Sequence, residues 1–157
     1  MKKLATAIAF TLMFAITAFS AEEKINLSSG QTVYVSIYSH VFTGPKERPF
    51  NLAAMLSIRN TDIHNPITIL SAEYFDNNGK SLKEYAPKPI KLSPLASHHF
   101  SIKESDDAGG FGANFIVKWK AAKEINAPII ESVMIGARSG QGISFVSQGK
   151  VIAENTK

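Results

Sequence analysis

The side chains best suited to metal binding are four histidines, His40, His64, His98 and His99. Adjacent residues of a β-strand point to opposite faces, so His98 and His99 cannot hold one ion together in a regular strand. The sequence contains neither His-x-His nor His-x₃-His, the spacings that would favour a shared zinc ion. We therefore predict no metal site. His40 is interpreted as part of an aromatic strand face, where a histidine is usually a hydrogen-bonded structural residue.

A second candidate is the group of carboxylates at Glu104, Asp106 and Asp107, which precedes a glycine-rich loop over residues 109–114. The spacing lacks the alternating oxygen ligands, the sixth-position glycine and the twelfth-position glutamate of an EF-hand, and favours a solvated turn. The glycines also miss the phosphate-binding patterns G-x-G-x-x-G and G-x-x-x-x-G-K-[ST], and no helix follows them. The loop is either a sharp connection or a place where a ligand or partner backbone approaches closely.

No motif marks a catalytic nucleophile. The chain has no cysteine. It also lacks G-x-S-x-G, because Ser139 stands one place too late after Gly136. A triad built from distant residues is defined by geometry and leaves no such signature. We assign no catalytic residue and no cofactor.

Several polar and aromatic residues are not needed to stabilise the fold, and we consider them candidates for a recognition surface. Tyrosine and arginine give large contact areas and directional hydrogen bonds, so binding surfaces favour them. The competing interpretation is structural: the arginines pair with nearby acids and the tyrosines cover the core. The candidate binding residues are Tyr34, Tyr38, His40, Arg48, Asn51, Arg59, Asn114, Gln141 and Ser144.

The elements that must position these residues are β-strands. A period of two runs through Thr32 to Phe42, with Val33, Val35, Ile37 and Val41 on one face. Phe115, Val117 and Trp119 alternate with a row that becomes cationic at Lys118 and Lys120. Only residues 121–125 suggest a helical turn, and that segment is too short to build on. The other predicted strands span residues 51–60, 67–76, 80–85, 90–93, 98–104, 129–137 and 143–152, the last with a bend or bulge at Gly149.

Eight or nine short strands, with turn signals about every ten residues, define an all-β class. We expect a two-layer antiparallel β-sandwich of immunoglobulin-like type, with a small β-barrel or a jelly roll as alternatives.

The N-terminus has the form of an export signal. Met1-Lys2-Lys3 is a positive start, an apolar run from Leu4 to Phe19 follows, and Ala18-Phe19-Ser20 fits the small-x-small cleavage pattern. This stretch of 16 residues, broken only by Thr6, Thr11 and Thr17, is shorter than the roughly 20 residues that a spanning helix needs. We expect residues 1–20 to be cleaved, residues 21–157 to form one domain, and no transmembrane segment to remain.

Charge and cysteine content suggest the compartment and exclude one class of partner. Without residues 1–20 the formal net charge falls from +4 to +2. Binding a phosphate backbone needs a clustered basic face, whereas lysines, arginines and acids alternate along this chain, so we expect no nucleic acid partner. A cleavable signal without cysteine favours the bacterial periplasm or the secreted space.

Five sequence segments, taken in their order along the chain, resemble a bacterial family called domain of unknown function 3124. They are GQTVYVSIYSHVF, RPFNLAAMLSIRNTD, the hairpin segment YFDNNGKSL, GGFGANFIVKWKA and QGISFVSQGKVI, and the resemblance covers about Gly30 to Ile152. Ser36 stands where the family often has proline, and Phe111 where a small residue is usual between glycines. The segment from Glu73 to Ser97 also resembles immunoglobulin-like accessory domains of envelope proteins, which implies a fold and no activity.

The sequence thus favours an exported, non-catalytic binding or accessory module of the bacterial cell envelope, with an unknown protein or small-ligand partner. One alternative is a hydrolase-like enzyme with a dispersed loop site. Another is a small-ligand or metal carrier that uses His40 or the loop around residues 104–107.

Overall fold

The alternating segments form antiparallel β-strands in the computed structural model of the protein, which describes residues 27–138 and 140–154. The predicted signal segment lies outside these residues. Within the described ranges every regular element is a strand, and there are twelve of them: β1 (Leu27–Ser36), β2 (His40–Thr43), β3 (Arg48–Asn51), β4 (Ala53–Arg59), β5 (Ile67–Phe75), β6 (Ser81–Glu84), β7 (Ile90–Leu92), β8 (Ser97–Ile102), β9 (Asn114–Asn126), β10 (Ile129–Arg138), β11 (Gln141–Gln148) and β12 (Lys150–Glu154).

The strands form two main sheets and one hairpin. The first sheet has the order β12-β1-β9-β5-β6, with β7 also paired to β5, and the second has the order β11-β10-β4-β8. β2 and β3 pair only with each other. The sheets bury one shared core between them and neither closes on itself, so the predicted all-β sandwich is confirmed and the barrel alternative is wrong.

The period of two in the sequence decides which side chains enter the core. Val33, Val35, Phe115, Val117 and Trp119 of the first sheet are buried, as the alternation predicts. Leu56, Ile58 and Met134 of the second sheet are fully buried opposite them. Burying such side chains contributes roughly 1.5–3 kcal/mol each.

The strands are more numerous than expected because three predicted strands are interrupted. The first breaks after Ser36, where the N–H groups of Ile37 and Ser39 leave the ladder and donate to the carbonyls of Ala113 and Gly110. The predicted strand over residues 51–60 is divided at Leu52, whose N–H bonds to Ser39. The last one bends at Gly149, as predicted, and crosses there from the second sheet to the first.

The suggested helical turn at residues 121–125 is wrong. Ser28 pairs with Ile125, and Gly30 pairs with Lys120. The β9 segment between Lys120 and Ile125 is therefore longer than the β1 segment between Ser28 and Gly30 that it faces. The extra β9 residues form a β-bulge and remain part of the strand, instead of forming a turn of helix.

The C-terminal strand is fixed to β1 by side chains as well as by its ladder. The Gln31 amide is buried, and its Nε2 donates to Oε1 of Glu154 at 2.7 Å. Oγ of Ser28 donates to the other carboxylate oxygen of Glu154 at 2.7 Å. A buried amide without such a partner would be costly, so Glu154 stabilises the pairing of β12 with β1.

One end of the sandwich, which we call the far end, is closed by a loop after β4. Asn60 and Asp62 of this loop are buried. Oδ1 of Asp62 accepts hydrogen bonds from the N–H of His64 at 2.9 Å, the N–H of Asn65 at 2.7 Å and Nδ2 of Asn65 at 2.9 Å. The bond from the His64 N–H is the main cause that lowers the pKa of Asp62 from 3.8 to about 2; burial opposes it, and the Asn65 bonds add to it.

This carboxylate makes stability depend on pH in a defined window. Its pKa is lower in the folded protein, so the charged form stabilises the fold above pH 3.8, and that contribution is lost as the pH falls toward 2. We expect the free energy of unfolding to decline through this window in urea titrations. Asp62→Asn should be less stable at pH 7 and should lose this part of the decline. An unchanged decline in the variant would contradict the assignment.

Candidate functional site

The end of the sandwich opposite the far end carries the largest group of candidate residues. We call it the hairpin end; it comprises the β2–β3 hairpin, the glycine loop at residues 109–112 and the start of β11. Because Ser36, Asn114 and Phe75 are register neighbours on β1, β9 and β5, these strands also reach this end together. Loops on a rigid scaffold are where binding residues usually lie.

An aromatic cluster covers one side of the hairpin end. The ring centroids of Tyr38 and Phe111 are 5.2 Å apart, those of Tyr38 and Phe145 5.5 Å, and those of Phe42 and Phe111 5.9 Å. His40 extends the cluster with an edge contact of 5.1 Å to Phe42. Phe42 is 52% exposed and Phe111 50% exposed, so two large rings meet solvent side by side. Adjacent exposed aromatic rings of this kind mark interaction sites more often than single apolar residues do.

The glycine loop holds Phe111 in this position by close approach. The N–H of Asn77 donates to the carbonyl of Gly109, and the N–H of Ser39 to the carbonyl of Gly110, both at 3.1 Å. A Cβ atom on Gly109 would lie 1.8 Å from the hydroxyl of Tyr74. The glycines are therefore explained by tight internal packing, which favours the interpretation of the loop as a sharp connection.

Tyr74 is the fixed support beneath this loop. Its ring stacks on Phe115 at 5.0 Å, and its hydroxyl lies 3.2 Å from Oγ of Ser39. Burial raises the pKa of Tyr74, with the hydrogen bond to Ser39 acting in the opposite direction. The hydroxyl therefore stays protonated and serves as a structural hydrogen-bonding group.

A groove of about 510 Å³ lies beside the aromatic cluster. It is lined by Thr43, Gly44, Pro45, Lys46, Arg48 and Gln141. Arg138 is the register partner of Gln141, and its guanidinium lies 4.8 Å from the ring centroid of Phe50. Lys46 and Arg48 thus line the groove, Arg138 is the strand neighbour of its Gln141, and Glu47 is the acid within the hairpin turn.

These cations form no ion pair with the other residues that the structure describes. Across residues 27–138 and 140–154, the ion pair that forms is between Arg59 and Glu131, and none involves Lys46, Arg48 or Arg138. Thr43 donates to the backbone carbonyl of Arg48 at 3.3 Å, and the Arg48 guanidinium makes no hydrogen bond to another described residue. The groove therefore presents donors and positive charge to an external acceptor.

The structure brings together six of the nine predicted binding residues. His40 and Asn51 face each other across the β2–β3 hairpin, and Arg48 lies opposite Thr43 in the same ladder. Tyr38 belongs to the aromatic cluster and Gln141 to the groove. Asn114 begins β9 at the same end of the sandwich, beside Ser36.

The other three predicted residues lie elsewhere. Arg59 is at the far end, where its guanidinium is 3.3 Å from Glu131, as the structural interpretation proposed. Tyr34 is on the outer face of the first sheet between Lys150 and Ile116. Ser144 is on the outer face of the second sheet opposite Ile135. These three residues therefore lie on three different surfaces of the fold.

Sequence reasoning did not select Phe42, Lys46, Phe111, Phe145 and Arg138 as site residues. The sequence places Phe42 on a strand face and Phe111 in a loop, and neither pattern shows that a ring remains exposed. The signal that could have identified the groove is the turn segment GPKER, where two cations flank a single acid.

The features that would favour the alternative functions are not found in the described part of the chain. There, no hydrogen bond joins a serine to a histidine, and no group of three or more potential metal ligands occurs. Glu73 and Glu84 are cross-strand partners, but Glu73 accepts from Ser81, and Glu84 accepts the N–H groups of Ala72 and Ala86. Both carboxylates are thus held in structural hydrogen bonds.

The fold is that of an antiparallel β-sandwich with exposed aromatic rings and a groove at one end. The sequence defines its family. Residues 30–152 match the family described as protein of unknown function, DUF3124. The chain belongs to this family. A comparison with curated proteins found no match.

A solved structure from Thermotoga maritima, titled Crystal Structure of Thermotoga maritima 1070, aligns with 76% of this chain and 92% of its own, with a TM-score of 0.45 and 9% sequence identity. This similarity is too distant to bear on function. No helix in the described residues has the length and apolar character needed to cross a membrane.

Proposed function

We propose that the protein is an exported, non-catalytic binding module of the bacterial cell envelope, which recognises a protein partner at the hairpin end. The observation that carries the proposal is the contact between two half-exposed rings, Phe42 and Phe111, beside a groove lined by Lys46 and Arg48. Neither cation forms an ion pair with another described residue. Aromatic residues and arginine are the types that dominate binding energy at protein interfaces.

The chemistry of the surface defines the segment that it would bind. The rings offer an apolar contact area, and they are held in place by edge contacts to Tyr38 and His40, so little conformational entropy is lost on binding. Beside them, Lys46 and Arg48 offer hydrogen bonds and charge to carboxylates. The matching partner is an acidic segment that also carries a large apolar side chain.

The location of the protein is part of the proposal. The signal-like segment over residues 1–20 and the absence of cysteine favour the periplasm or the secreted space. An acidic segment of an envelope protein would be accessible there.

Photocrosslinking in cells tests the position of the interface. A photoreactive phenylalanine at Phe42 or Phe111 should capture the same protein, while the same group at Ile129 should not. Ile129 is a matched control because it is 48% exposed and lies at the far end, opposite Arg59. Equal capture from all three positions, or none from Phe42 and Phe111, would contradict the proposal.

Charge reversal tests the role of the groove. We expect Lys46→Glu combined with Arg48→Glu to reduce the crosslinked yield at Phe111 at least tenfold, because both residues are exposed and the change repels an acidic segment. Lys88→Glu combined with Lys123→Glu makes the same change in net charge outside the hairpin end and should leave the yield unchanged. Unaltered melting temperatures would show that both variants fold. Similar losses in the two variants would overturn the groove's role.

A further inference from the structure

A second groove, on the outer face of the first sheet, collects positive charge from strands that are distant in sequence. Lys120 of β9 is the register partner of Thr68 in β5, and Thr68 is the register partner of Lys91 in β7. Directly opposed residues share a face, with Cβ atoms about 4.5–5.5 Å apart. Two lysines therefore flank one threonine in a single cross-strand row.

The bulge in β9 forms one wall of a groove beside this row of residues. The groove has a volume of about 500 Å³ and is lined by Pro66, Thr68, Lys91, Lys120, Ala121 and Ala122. Ala121 and Ala122 belong to the bulged segment, and their small side chains leave space above Thr68. We call this site the lysine groove.

The polar groups of the lysine groove are uncommitted. In the part of the chain that the structure describes, neither Lys91 nor Lys120 forms an ion pair, and the hydroxyl of Thr68 makes no hydrogen bond. No carboxylate lines the groove. Lys118 adds a further cation in the neighbouring row, opposite Ser71, while Lys123 and Glu124 on the bulge carry opposite charges.

This combination of groups matches one ligand chemistry. Each ammonium is a point charge with three donors on a flexible four-carbon stem, so both can reach the space above the hydroxyl between them. Two like charges on either side of one hydroxyl are stabilised by an anion that accepts from all three. A tetrahedral phosphate group has the charge and the number of acceptors for this arrangement.

We infer that the lysine groove binds a phosphate group through Lys91, Lys120 and the hydroxyl of Thr68. The groove lies on a sheet face and the hairpin end lies at the loops, so this site is independent of the function proposed above.

Titration of the ¹⁵N-labelled purified protein with inorganic phosphate at constant ionic strength tests the inference. Amide signals of Thr68, Lys91 and Lys120 should shift and saturate at millimolar concentration. Lys91→Gln with Lys120→Gln should weaken binding at least tenfold, and Thr68→Val severalfold. Lys80→Gln with Lys103→Gln removes the same charge from exposed positions outside the groove and should change the affinity less than twofold. Absence of saturable shifts, or equal weakening in the control, would overturn the inference.

Vesicles identify the source of the phosphate group. Sedimentation with phosphatidylglycerol vesicles, but not with phosphatidylcholine vesicles, that is lost in the Lys91→Gln, Lys120→Gln variant would assign the groove to a lipid headgroup. Saturable binding of inorganic phosphate without sedimentation would assign it to a soluble phosphate compound. Sedimentation that the double variant retains, with no phosphate-dependent shift at Thr68, would contradict a phosphate site at this position.

Discussion

Replacing Gly109 by alanine is expected to destabilise the protein by about 3 kcal/mol, at the upper end of the cost of overpacking a well-packed region. The new Cβ atom would lie 1.8 Å from the Tyr74 hydroxyl and 2.8 Å from Cβ of Ala113. Tyr74 cannot move away cheaply because it is buried and stacked on Phe115. The loop must therefore shift, and Phe111 with it. Thermal unfolding should show a loss of about 10 °C.

The matched control for this change is Gly142→Ala. Gly142 lies in β11 with nothing within 4 Å of an added Cβ atom. The melting temperature of the Gly142→Ala variant should therefore stay within about 2 °C of that of the unsubstituted protein. Gly109→Ala should also reduce crosslinking from Phe111 more than from Phe42, because only the first ring is carried by the loop. Equal melting temperatures for the two variants would show that the loop accommodates the alanine.

Asn60→Ala is expected to cost about 3 kcal/mol by breaking the network that closes the far end. Nδ2 of Asn60 donates to the carbonyls of Asn65 at 2.8 Å and Ser93 at 3.0 Å, while Oδ1 accepts from the N–H of Asp62 at 3.1 Å. Asn60 is 2% exposed, so water replaces these bonds poorly. Each buried group left without a partner costs about 1–3 kcal/mol. Urea unfolding measures the loss directly.

Two further variants separate hydrogen bonding from packing at this position. Asn60→Asp is nearly isosteric but sets a carboxylate oxygen against two carbonyls, so at pH 7 it should be at least as destabilising as alanine. Asn78→Ala removes the same side chain from an exposed turn and should cost less than about 0.5 kcal/mol. A stable Asn60→Asp variant would indicate that the volume of Asn60, rather than its donors, supports the loop.

The strand faces could be predicted from the sequence because burial imposes the period of two directly. Val33, Val35, Phe115, Val117 and Trp119 all lie where the alternation assigns them. The interruptions could not be predicted in the same way. The break after Ser36 depends on hydrogen bonds from Ile37 and Ser39 to the segment around residues 110–113, and a local pattern carries no information about distant acceptors.

The candidate site was predictable only in part for a related reason. The β2–β3 hairpin places His40, Arg48 and Asn51 together because they are neighbours in sequence. Arg59 carries the same chemistry but ends a strand that runs to the other end of the sandwich, where Glu131 pairs with it. Lysines that alternate with acids along the chain gave no hint of a cationic groove, since the row of Lys91, Thr68 and Lys120 exists only across strands.

The position of β1 between β12 and β9 has a consequence for how the protein is made. Ser28 and Glu154 are hydrogen-bonded across a separation of 126 residues, and Gln31 and Glu154 across 123. During synthesis β1 emerges early, but both of its partners emerge late, so the first sheet cannot close until most of the chain has left the ribosome. Such non-local strand pairing folds slowly compared with local structure. We therefore expect β1 to remain unpaired during most of synthesis, until β9 and β12 are available.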